Sequence, residues 1–209
     1  MLESASPFVP PAGDALRIAV LGAECTGKSE LVLQLREALA LRTGQRVAAV
    51  MEFLREWCEL QQRTPEAHEQ ASIAHEQQRR IDEAARTHDI VVCDTTPLMT
   101  AIYSQWYFGD RALHASALSA HGRAGVTLVT DLDLPWQPDG LQRDGTTVRG
   151  AIDRLLRATL DEHAVPYHVI AGHGERRTLA ALAALETRIT GFGAARRATA
   201  GTALRGPGR

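Results

Sequence analysis

One stretch of the sequence decides the fold of this chain: Gly22-Ala23-Glu24-Cys25-Thr26-Gly27-Lys28-Ser29. It satisfies the pattern G-x-x-x-x-G-K-[ST]. In this pattern the glycines let backbone N–H groups turn toward phosphate oxygens, the lysine reaches the β- and γ-phosphates, and the last hydroxyl binds Mg²⁺. The stretch therefore predicts a P-loop. We expect the nucleotide to be contacted by Gly22, Glu24, Cys25, Thr26, Gly27, Lys28 and Ser29.

The residues on both sides of the loop support this interpretation. Leu16 to Leu21 form a short apolar run, which is typical of a buried parallel strand. After the loop, apolar residues recur with the period of a helix at Leu31, Val32, Leu35, Ala38 and Leu39. Strand, loop and helix is the order that a P-loop requires.

Lys28 is also singled out by composition. It is the only lysine in the chain, and all the other residues among the 23 Lys and Arg are arginine. A lysine ammonium is a compact and mobile point charge, whereas a planar guanidinium fits poorly inside a phosphate loop. The position of the single lysine therefore favours a phosphate site over a simple glycine-rich surface turn.

Length and composition limit the class of protein. A chain of 209 residues with 44% hydrophobic content is long enough for one well-buried α/β domain and short for two. The net charge of −2 and the isoelectric point near 6.4 do not favour nucleic acid as a partner. Three cysteines without a C-x-x-C spacing argue against a disulfide framework, and no apolar run approaches the roughly 20 residues of a membrane span. We therefore expect a reduced, cytoplasmic protein that does not bind a membrane.

Alternating strand and helix patterns predict the rest of the fold. Four further apolar runs predict strands at 46–51, 89–93, 126–130 and 167–170. Helical patterns are found at 64–87, 97–106, 150–162 and 177–189. This alternation indicates a parallel sheet that is covered on both faces. We predict an α/β fold of the P-loop NTPase class: a three-layer α/β/α sandwich with a five-stranded, mostly parallel sheet, similar to nucleoside and nucleotide kinases and with a short lid.

The predicted kinase domain spans residues 15–189. Residues 1–14 are rich in Ser, Pro, Gly and Ala and are expected to form a flexible arm. The segment at about 137–150 is polar, and we predict that it forms the lid. After Glu186 the chain contains no acidic residue, so residues 190–209 are predicted to be a disordered basic tail.

Two acidic residues follow predicted strands and are candidates for catalysis. Glu52 and Asp94 would both lie at the carboxyl edge of the sheet, where open parallel sheets bind ligands. Asp94 suits a carboxylate that holds Mg²⁺ together with Ser29, and Glu52 suits the group that accepts a proton from the attacking hydroxyl. The two roles can be exchanged. For either residue the alternative is a carboxylate that only caps the next helix.

Three further polar residues are candidates for the site. Arg143 and Arg149 fall in the predicted lid and are candidates to stabilise a transferring phosphoryl group, the alternative being two solvated surface arginines. Gln77 lies on the long predicted helix and is a candidate to contact the edge of a base. The chain contains no N-K-x-D sequence, which argues against a signalling GTPase.

Four blocks of sequence together resemble a known family. They are the P-loop, Met51-Glu52-Phe53-Leu54-Arg55-Glu56, Cys93-Asp94-Thr95-Thr96 and Pro135-Trp136-Gln137-Pro138-Asp139-Gly140-Leu141. The chain resembles the ribosylnicotinamide (nicotinamide riboside) kinase domain of NadR-type proteins and their stand-alone relatives, which are P-loop proteins of the AAA_28 type. In that family the blocks read roughly GxESxGKS, W-E-[YF]-x-R-E, D-T-[DN] and P-W-x-x-D-G-L-R. The resemblance extends over about residues 17–185.

The resemblance implies a reaction and its cofactors. The reaction is the ATP-dependent phosphorylation of the 5′-hydroxyl of nicotinamide riboside to nicotinamide mononucleotide, a step of NAD salvage, with ATP and Mg²⁺ as cofactors and a small nucleoside as the binding partner. Carried over position by position, it assigns substrate contacts to Glu52, Arg55, Glu56, Trp136, Asp139 and Gly140. A tryptophan that faces a cationic pyridine ring gains cation–π attraction.

Three departures from the family pattern concern the acceptor. Met51 stands where the family usually has an aromatic residue, Thr96 replaces the second acid of the D-T-[DN] block, and Gln142 separates the D-G-L block from its arginine. They leave another nucleoside, or another small hydroxyl compound, open as the acceptor. A further alternative is a regulatory module that binds ATP with little turnover and contacts a partner through its basic C-terminal segment.

Overall fold

The computed structural model describes residues 14–136 and 145–203, which form a parallel sheet with helices on both faces. The strands are β1 (Leu16–Leu21), β2 (Val47–Val50), β3 (Ile90–Asp94), β4 (Val126–Thr130) and β5 (His168–Ile170). They lie in the order β2-β3-β1-β4-β5, and each pairing is parallel. The predicted α/β sandwich is therefore confirmed. Parallel pairing brings the carboxyl ends of β1, β2 and β3 to one edge of the sheet.

Seven helices connect these strands in the described residues. They are α1 (Lys28–Thr43), α2 (Phe53–Gln61), α3 (Gln70–Thr87), α4 (Pro97–Phe108), α5 (His114–His121), α6 (Gly145–Glu162) and α7 (Glu175–Ala203). A 3₁₀ turn, Ala67–Glu69, precedes α3. Among these helices none combines the length and the hydrophobicity that crossing a membrane requires.

Two apolar layers hold the helices against the sheet. Alternate residues of a strand point to opposite faces, so that Ile18 packs on the α1 and α7 side and Ala19 on the α4 and α6 side. Both faces of β1 are thus covered, which explains why its sequence is a continuous apolar run rather than an alternating one. Each fully buried leucine in these layers contributes on the order of 2 kcal/mol. The layers make a rigid base for the loops at the carboxyl edge.

Strands were easier to predict from the sequence than helices. β1 and β4 have the predicted limits, and the other three strands differ by one or two residues at their ends. The short helices α2 and α5 were not predicted, because each has an apolar stripe that is too short to give a clear period. The helix predicted to begin at Thr64 begins instead with the 3₁₀ turn, where the backbone N–H of Glu66 donates to the Glu69 carboxylate at 2.8 Å.

The C-terminal part of the chain differs from the prediction. We expected disorder from residue 190, but α7 continues to Ala203, so the prediction is wrong for residues 190–203. Phe192 is only 7% exposed and packs in the layer between α7 and the sheet, which gives the extended helix an apolar anchor. Residues 145–150 of the predicted lid belong to α6. The predicted arm at 1–13, the rest of the lid and residues 204–209 lie outside the described residues.

Candidate active site

The P-loop connects β1 to α1, and its shape depends on two glycines. Gly22 has a φ of 147° and Gly27 a φ of 73°, which other residues rarely adopt. A Cβ atom on residue 22 would lie 2.1 Å from Oγ1 of Thr130, and one on residue 27 would lie 2.8 Å from Cδ1 of Leu134. A side chain at either position would therefore both strain the backbone and displace a neighbour.

Side-chain hydrogen bonds hold the loop in its curved shape. The carbonyl of Ala23 accepts from Lys28 Nζ at 2.8 Å and from the Thr26 hydroxyl at 2.8 Å. The hydroxyl of Thr130, at the end of β4, donates to Thr26 Oγ1 at 2.7 Å. α1 begins at Lys28, so the first N–H groups of the helix adjoin the loop. The loop is thus shaped by the protein itself as a cradle for an anion.

Ser29 and Asp94 meet because β1 and β3 are neighbours in the sheet. Oγ of Ser29 donates to Oδ2 of Asp94 at 2.5 Å. Asp94 is 1% exposed, and its other oxygen, Oδ1, has no hydrogen-bond partner in the part of the chain that the structure describes. A buried carboxylate oxygen without a donor favours a nearby cation.

The donor set fits Mg²⁺, which takes few protein ligands and completes its shell with phosphate oxygens and water. Ser29 and Asp94 supply a hydroxyl and a carboxylate, the hard oxygen ligands that this ion prefers. Within the residues described, three or more His, Cys, Asp or Glu side chains do not cluster as a metal site. The pair therefore suits a metal that is shared with a nucleotide better than a resident metal cage.

The backbone turns sharply immediately after Asp94. Thr95 has a φ of 68°, a conformation that is strained for a β-branched residue, and its N–H donates to the carbonyl of Val20 at 3.0 Å. The next residue, Thr96, caps α4 by accepting from the N–H of Leu98 at 3.4 Å. Asp94 is therefore not the helix cap, and the alternative that its carboxylate only caps α4 is wrong.

A cleft of about 500 Å³ opens above the P-loop. Its lining residues are Cys25, Thr26, Gly27, Lys28, Ser29, Glu30, Glu52, Arg55, Leu134 and Pro135. Glu52 enters the cleft from the end of β2, as the residue before α2, and its side chain makes no capping hydrogen bond. Lys28 and Glu52 thus face the same space, one from each of two strand ends.

The electrostatics of Tyr103 reflect two acidic residues, Glu52 of the cleft and Glu24 of the P-loop. Tyr103 on α4 is buried, and its pKa is raised first by burial and then by the negative charges of Glu52 and Glu24. Its ring stacks on that of Tyr107 with the centroids 6.2 Å apart. Tyr103 itself is not among the lining residues of the cleft.

Comparison with known proteins identifies the family. The model of the AAA_28 family, an AAA domain, matches residues 17–177. The chain belongs to the AAA_28 family. No curated protein sequence matches the chain.

Two solved NadR structures show the same fold as this AAA_28 chain. The NadR protein in complex with NR has a TM-score of 0.68 at 18% identity, with 83% of this chain and 50% of that chain covered. The NadR protein in complex with NAD and AMP-PNP has a TM-score of 0.63 at 18% identity, with 82% and 49% covered. Shikimate kinase from Bacteroides thetaiotaomicron has a TM-score of 0.44 at 13% identity, with 82% and 97% covered. This chain spans about half the length of the NadR structures.

Two residues predicted to contact substrate have other partners in this AAA_28 domain. The Glu56 carboxylate accepts two hydrogen bonds from Arg80 of α3, at 2.5 and 3.0 Å, and these bonds lower its pKa. Gln77 is 2% exposed, and its Oε1 accepts from the backbone N–H of Phe53 at 2.7 Å. Glu56 links α2 to α3. Gln77 is hydrogen-bonded to the first turn of α2, next to Glu52, so its side-chain oxygen supports this turn instead of contacting the nucleobase of a substrate.

The predicted lid residues are only partly described. Arg149 is on α6, is 5% exposed and donates from Nη1 to the carbonyl of Leu134 at 2.8 Å, so it is not a solvated surface arginine. Its Nε and Nη2 atoms are buried and have no hydrogen-bond partner within residues 14–136 and 145–203. Trp136 is half-buried and is not among the lining residues of the cleft. Three predicted residues lie outside the described part of the chain: Asp139, Gly140 and Arg143.

One residue at the site was missed in the sequence. Arg177, in the first turn of α7, is 4% exposed and donates to the carbonyl of Thr26 in the P-loop. No motif marks it, since it is one of two adjacent arginines at the start of a predicted helix. Only the packing of α7 beside the P-loop distinguishes it from Arg176, which is exposed.

Proposed function

We propose that this protein is an ATP-dependent kinase that phosphorylates a hydroxyl group of a nucleoside, with nicotinamide riboside as the preferred acceptor and nicotinamide mononucleotide as the product. The observation that carries the proposal is the shared cleft, which is lined by both the P-loop lysine, Lys28, and Glu52. A kinase needs a phosphate cradle and a proton acceptor on either side of one reacting centre.

The residues have separate roles in this proposal. Lys28 and the N–H groups at the start of α1 bind the β- and γ-phosphates of ATP. Ser29 and Asp94 hold Mg²⁺, which when bound neutralises charge on the phosphates. Arg149 donates to the carbonyl of Leu134, which lines the cleft, and two of its buried nitrogens have no partner among the described residues, so it is a candidate to stabilise the phosphoryl group in transfer.

Glu52 is favoured over Asp94 as the general base. Asp94 is buried and already accepts a hydrogen bond from Ser29, whereas Glu52 lines the cleft. As the acceptor oxygen bonds to the γ-phosphorus, the bond to the β–γ bridging oxygen breaks and ADP leaves. The proton of the hydroxyl passes to the Glu52 carboxylate, so that charge and atoms balance.

The nicotinamide riboside preference has its own support. The NadR structure with the higher of the two TM-scores is a complex with NR. Glu52 lines the cleft of this chain, and the negative charge of a carboxylate attracts a cationic pyridinium ring. An acceptor with a neutral ring lacks this attraction.

The test is a phosphorylation assay with purified protein, Mg·ATP and a panel of nucleosides, in which the phosphorylated products are identified by mass spectrometry. We expect nicotinamide riboside to be phosphorylated faster than neutral nucleosides. Glu52→Gln should lower kcat by about 10²-fold or more with little change in ATP affinity. Glu59→Gln, an exposed carboxylate on the same helix α2, is the matched control and should change neither.

Other outcomes of this assay separate the alternatives. Phosphorylation of a different nucleoside would retain the kinase and overturn the preferred acceptor. Tight ATP binding with no product for any acceptor would instead support the regulatory module. One observation favours that second candidate: Thr96, which replaces an acid of the family, has its hydroxyl engaged by Leu98 and His121 and brings no carboxylate to the cleft.

A further inference from the structure

Arg177 joins the P-loop to three other parts of the fold. Its Nη1 atom donates to the carbonyl of Thr26 at 2.5 Å. Its Nη2 atom donates to the Asp133 carboxylate at 2.7 Å, and to the carbonyls of Asp131 and Ile170 at 3.1 and 3.2 Å. One guanidinium therefore ties together the P-loop, the segment after β4, the end of β5 and the first turn of α7.

The bond to Thr26 sets the direction of a backbone donor in the P-loop. A trans peptide unit is planar, with its C=O and N–H pointing in opposite directions. Because the carbonyl of Thr26 points at Arg177, the N–H of Gly27 points away from Arg177, and Gly27 is one of the residues that line the cleft. P-loops bind phosphate oxygens through N–H groups of this kind.

Close packing leaves this peptide little freedom. A Cβ atom on residue 27 would lie 3.3 Å from Nη1 of Arg177. Leu134 packs against the same glycine, and the carbonyl of Leu134 is held by Arg149. A rotation of the 26–27 peptide would break the Arg177 bond and meet these neighbours.

The buried charge itself argues for a role beyond stability. Arg177 is 4% exposed and burial lowers its pKa, while Asp133 is its one ion-pair partner among the described residues. Burying a guanidinium among carbonyl groups is costly, and an apolar side chain of the same size often packs as well or better. A planar fork with several donors can hold three carbonyl groups and the Asp133 carboxylate in fixed directions at once, which an apolar side chain cannot do.

We propose that Arg177 is a positioning residue for the nucleotide, which holds the P-loop with the N–H of Gly27 directed at the phosphates of ATP. The proposal rests on the proposed function only in requiring that the P-loop bind ATP, and it is independent of the acceptor. It also makes the start of α7 a part of the nucleotide site, although no residue of that helix lines the cleft.

The test compares two neighbouring arginines on the same helical turn. Arg177→Lys and Arg177→Met are paired with Arg176→Lys and Arg176→Met, since Arg176 is exposed. The dissociation constant of Mg·ATP is measured with a fluorescent ATP analogue and by competition with ATP, at a temperature well below the midpoint of thermal unfolding of each variant.

We expect both Arg177 variants to bind ATP about tenfold more weakly or worse, because neither side chain can make the forked contacts of a guanidinium. The Arg176 variants should stay within about twofold of the wild type, as is usual for surface substitutions. In the kinase assay the loss should fall on the KM for ATP, with the KM for the acceptor unchanged.

A second variant keeps the proposal testable if Arg177 is needed for folding. In the wild type the Asp133 carboxylate accepts from both Arg177 and the N–H of Gly172. Asp133→Asn leaves Arg177 in place but replaces this carboxylate by a neutral amide, which removes the charge that pairs with Arg177. It should weaken ATP binding in the same direction and to a smaller extent.

Unchanged ATP affinity in the folded Arg177 and Asp133 variants would overturn the proposal, even if their thermal stability falls. The outcome is distinguishable from a failure of the proposed function, because ATP binding is measured without any acceptor. If the wild type binds ATP but has no kinase activity, the proposed function is contradicted. The role of Arg177 is then still decided by the ATP dissociation constants of its variants.

Discussion

A fall in pH from neutral to acidic should destabilise this protein through His121. The side chain is 2% exposed on α5, and both of its ring nitrogens are hydrogen-bonded inside the protein, with Nδ1 3.1 Å from Thr96 Oγ1 and Nε2 2.9 Å from Thr127 Oγ1. Thr96 caps α4, two residues after Asp94. His121 thus connects the turn that carries the candidate metal ligand to β4.

Burial lowers the pKa of His121 from 6.5 to about 4. The unfolded chain therefore takes up a proton on this residue between the two values, while the folded protein does not. In this window the unfolded state binds more protons, so the free energy of unfolding falls as the pH falls. The difference corresponds to about 3 kcal/mol in total, most of which is lost by about pH 4.5.

Carboxylates act in a different range of pH. The pKa values of Glu69 and Glu76 are lowered from 4.5 to about 2, mainly by hydrogen bonds from Arg63 and Arg79 respectively. A lowered carboxyl pKa gives stability that is present above the unfolded value and is lost only as the pH falls below it. The range from about pH 6.5 to 4.5 therefore reports on histidine rather than on these pairs.

The measurement is the free energy of unfolding in urea at a series of pH values, for the wild type, His121→Leu and His68→Leu. The wild type and the His68 variant, whose side chain is 76% exposed, should lose about 2 to 3 kcal/mol across the window. His121→Leu should be less stable near neutral pH but should lose much less on acidification. If the wild type and His121→Leu show the same slope against pH, the buried neutral histidine is not the cause and the reasoning is refuted.

Three further predictions concern the loop, the metal and the last helix. Gly27→Ala should weaken ATP binding and should lower the free energy of unfolding by about 1 to 2 kcal/mol more than Gly109→Ala, because both positions have a positive φ but, of the two, residue 27 has neighbours that an added Cβ would meet. Thermal unfolding measures the loss of stability, and titration measures the loss of ATP affinity. Equal losses of stability in the two variants would contradict this prediction. Asp94→Asn should lower kcat by about 10²-fold and should raise the Mg²⁺ concentration needed for the half-maximal rate, because it removes the carboxylate that is hydrogen-bonded to Ser29. An unchanged dependence of the rate on Mg²⁺ would argue against a role of Asp94 in binding the metal. Phe192→Ala should cost about 3 kcal/mol in urea unfolding because the ring is buried, whereas a disordered tail would give no change.

The sequence was most informative where short spacings carry the chemistry. The G-x-x-x-x-G-K-S pattern and its flanking strand and helix predict the P-loop, and two acids that end apolar runs predict which strand ends carry carboxylates. These signals are local, because a strand, a turn and a helix start are each encoded within about ten residues. The α/β class follows from the same local alternation.

The extent of the last helix was not predicted, for a physical reason. Residues 190–203 are rich in Ala, Gly, Thr and Arg, and no apolar period marks them as part of a packed helix. Phe192 is a buried side chain of the extension that packs in the sheet layer. Tertiary contact of this kind overrides a composition that is typical of disorder.

By itself, then, the sequence determined that this chain has a P-loop at the end of its first strand, and which acids stand at strand ends. Only the tertiary structure decided that Asp94 accepts from Ser29 and that Glu52 lines the same cleft as Lys28. The tertiary structure also decided that Gln77 accepts from the first turn of α2 and that Arg177 donates to a carbonyl of the P-loop. The reason is the distance along the chain: Ser29 is 65 residues from Asp94, and Thr26 is 151 residues from Arg177. No spacing rule spans such separations, so the partner of each group is set by strand order and helix packing.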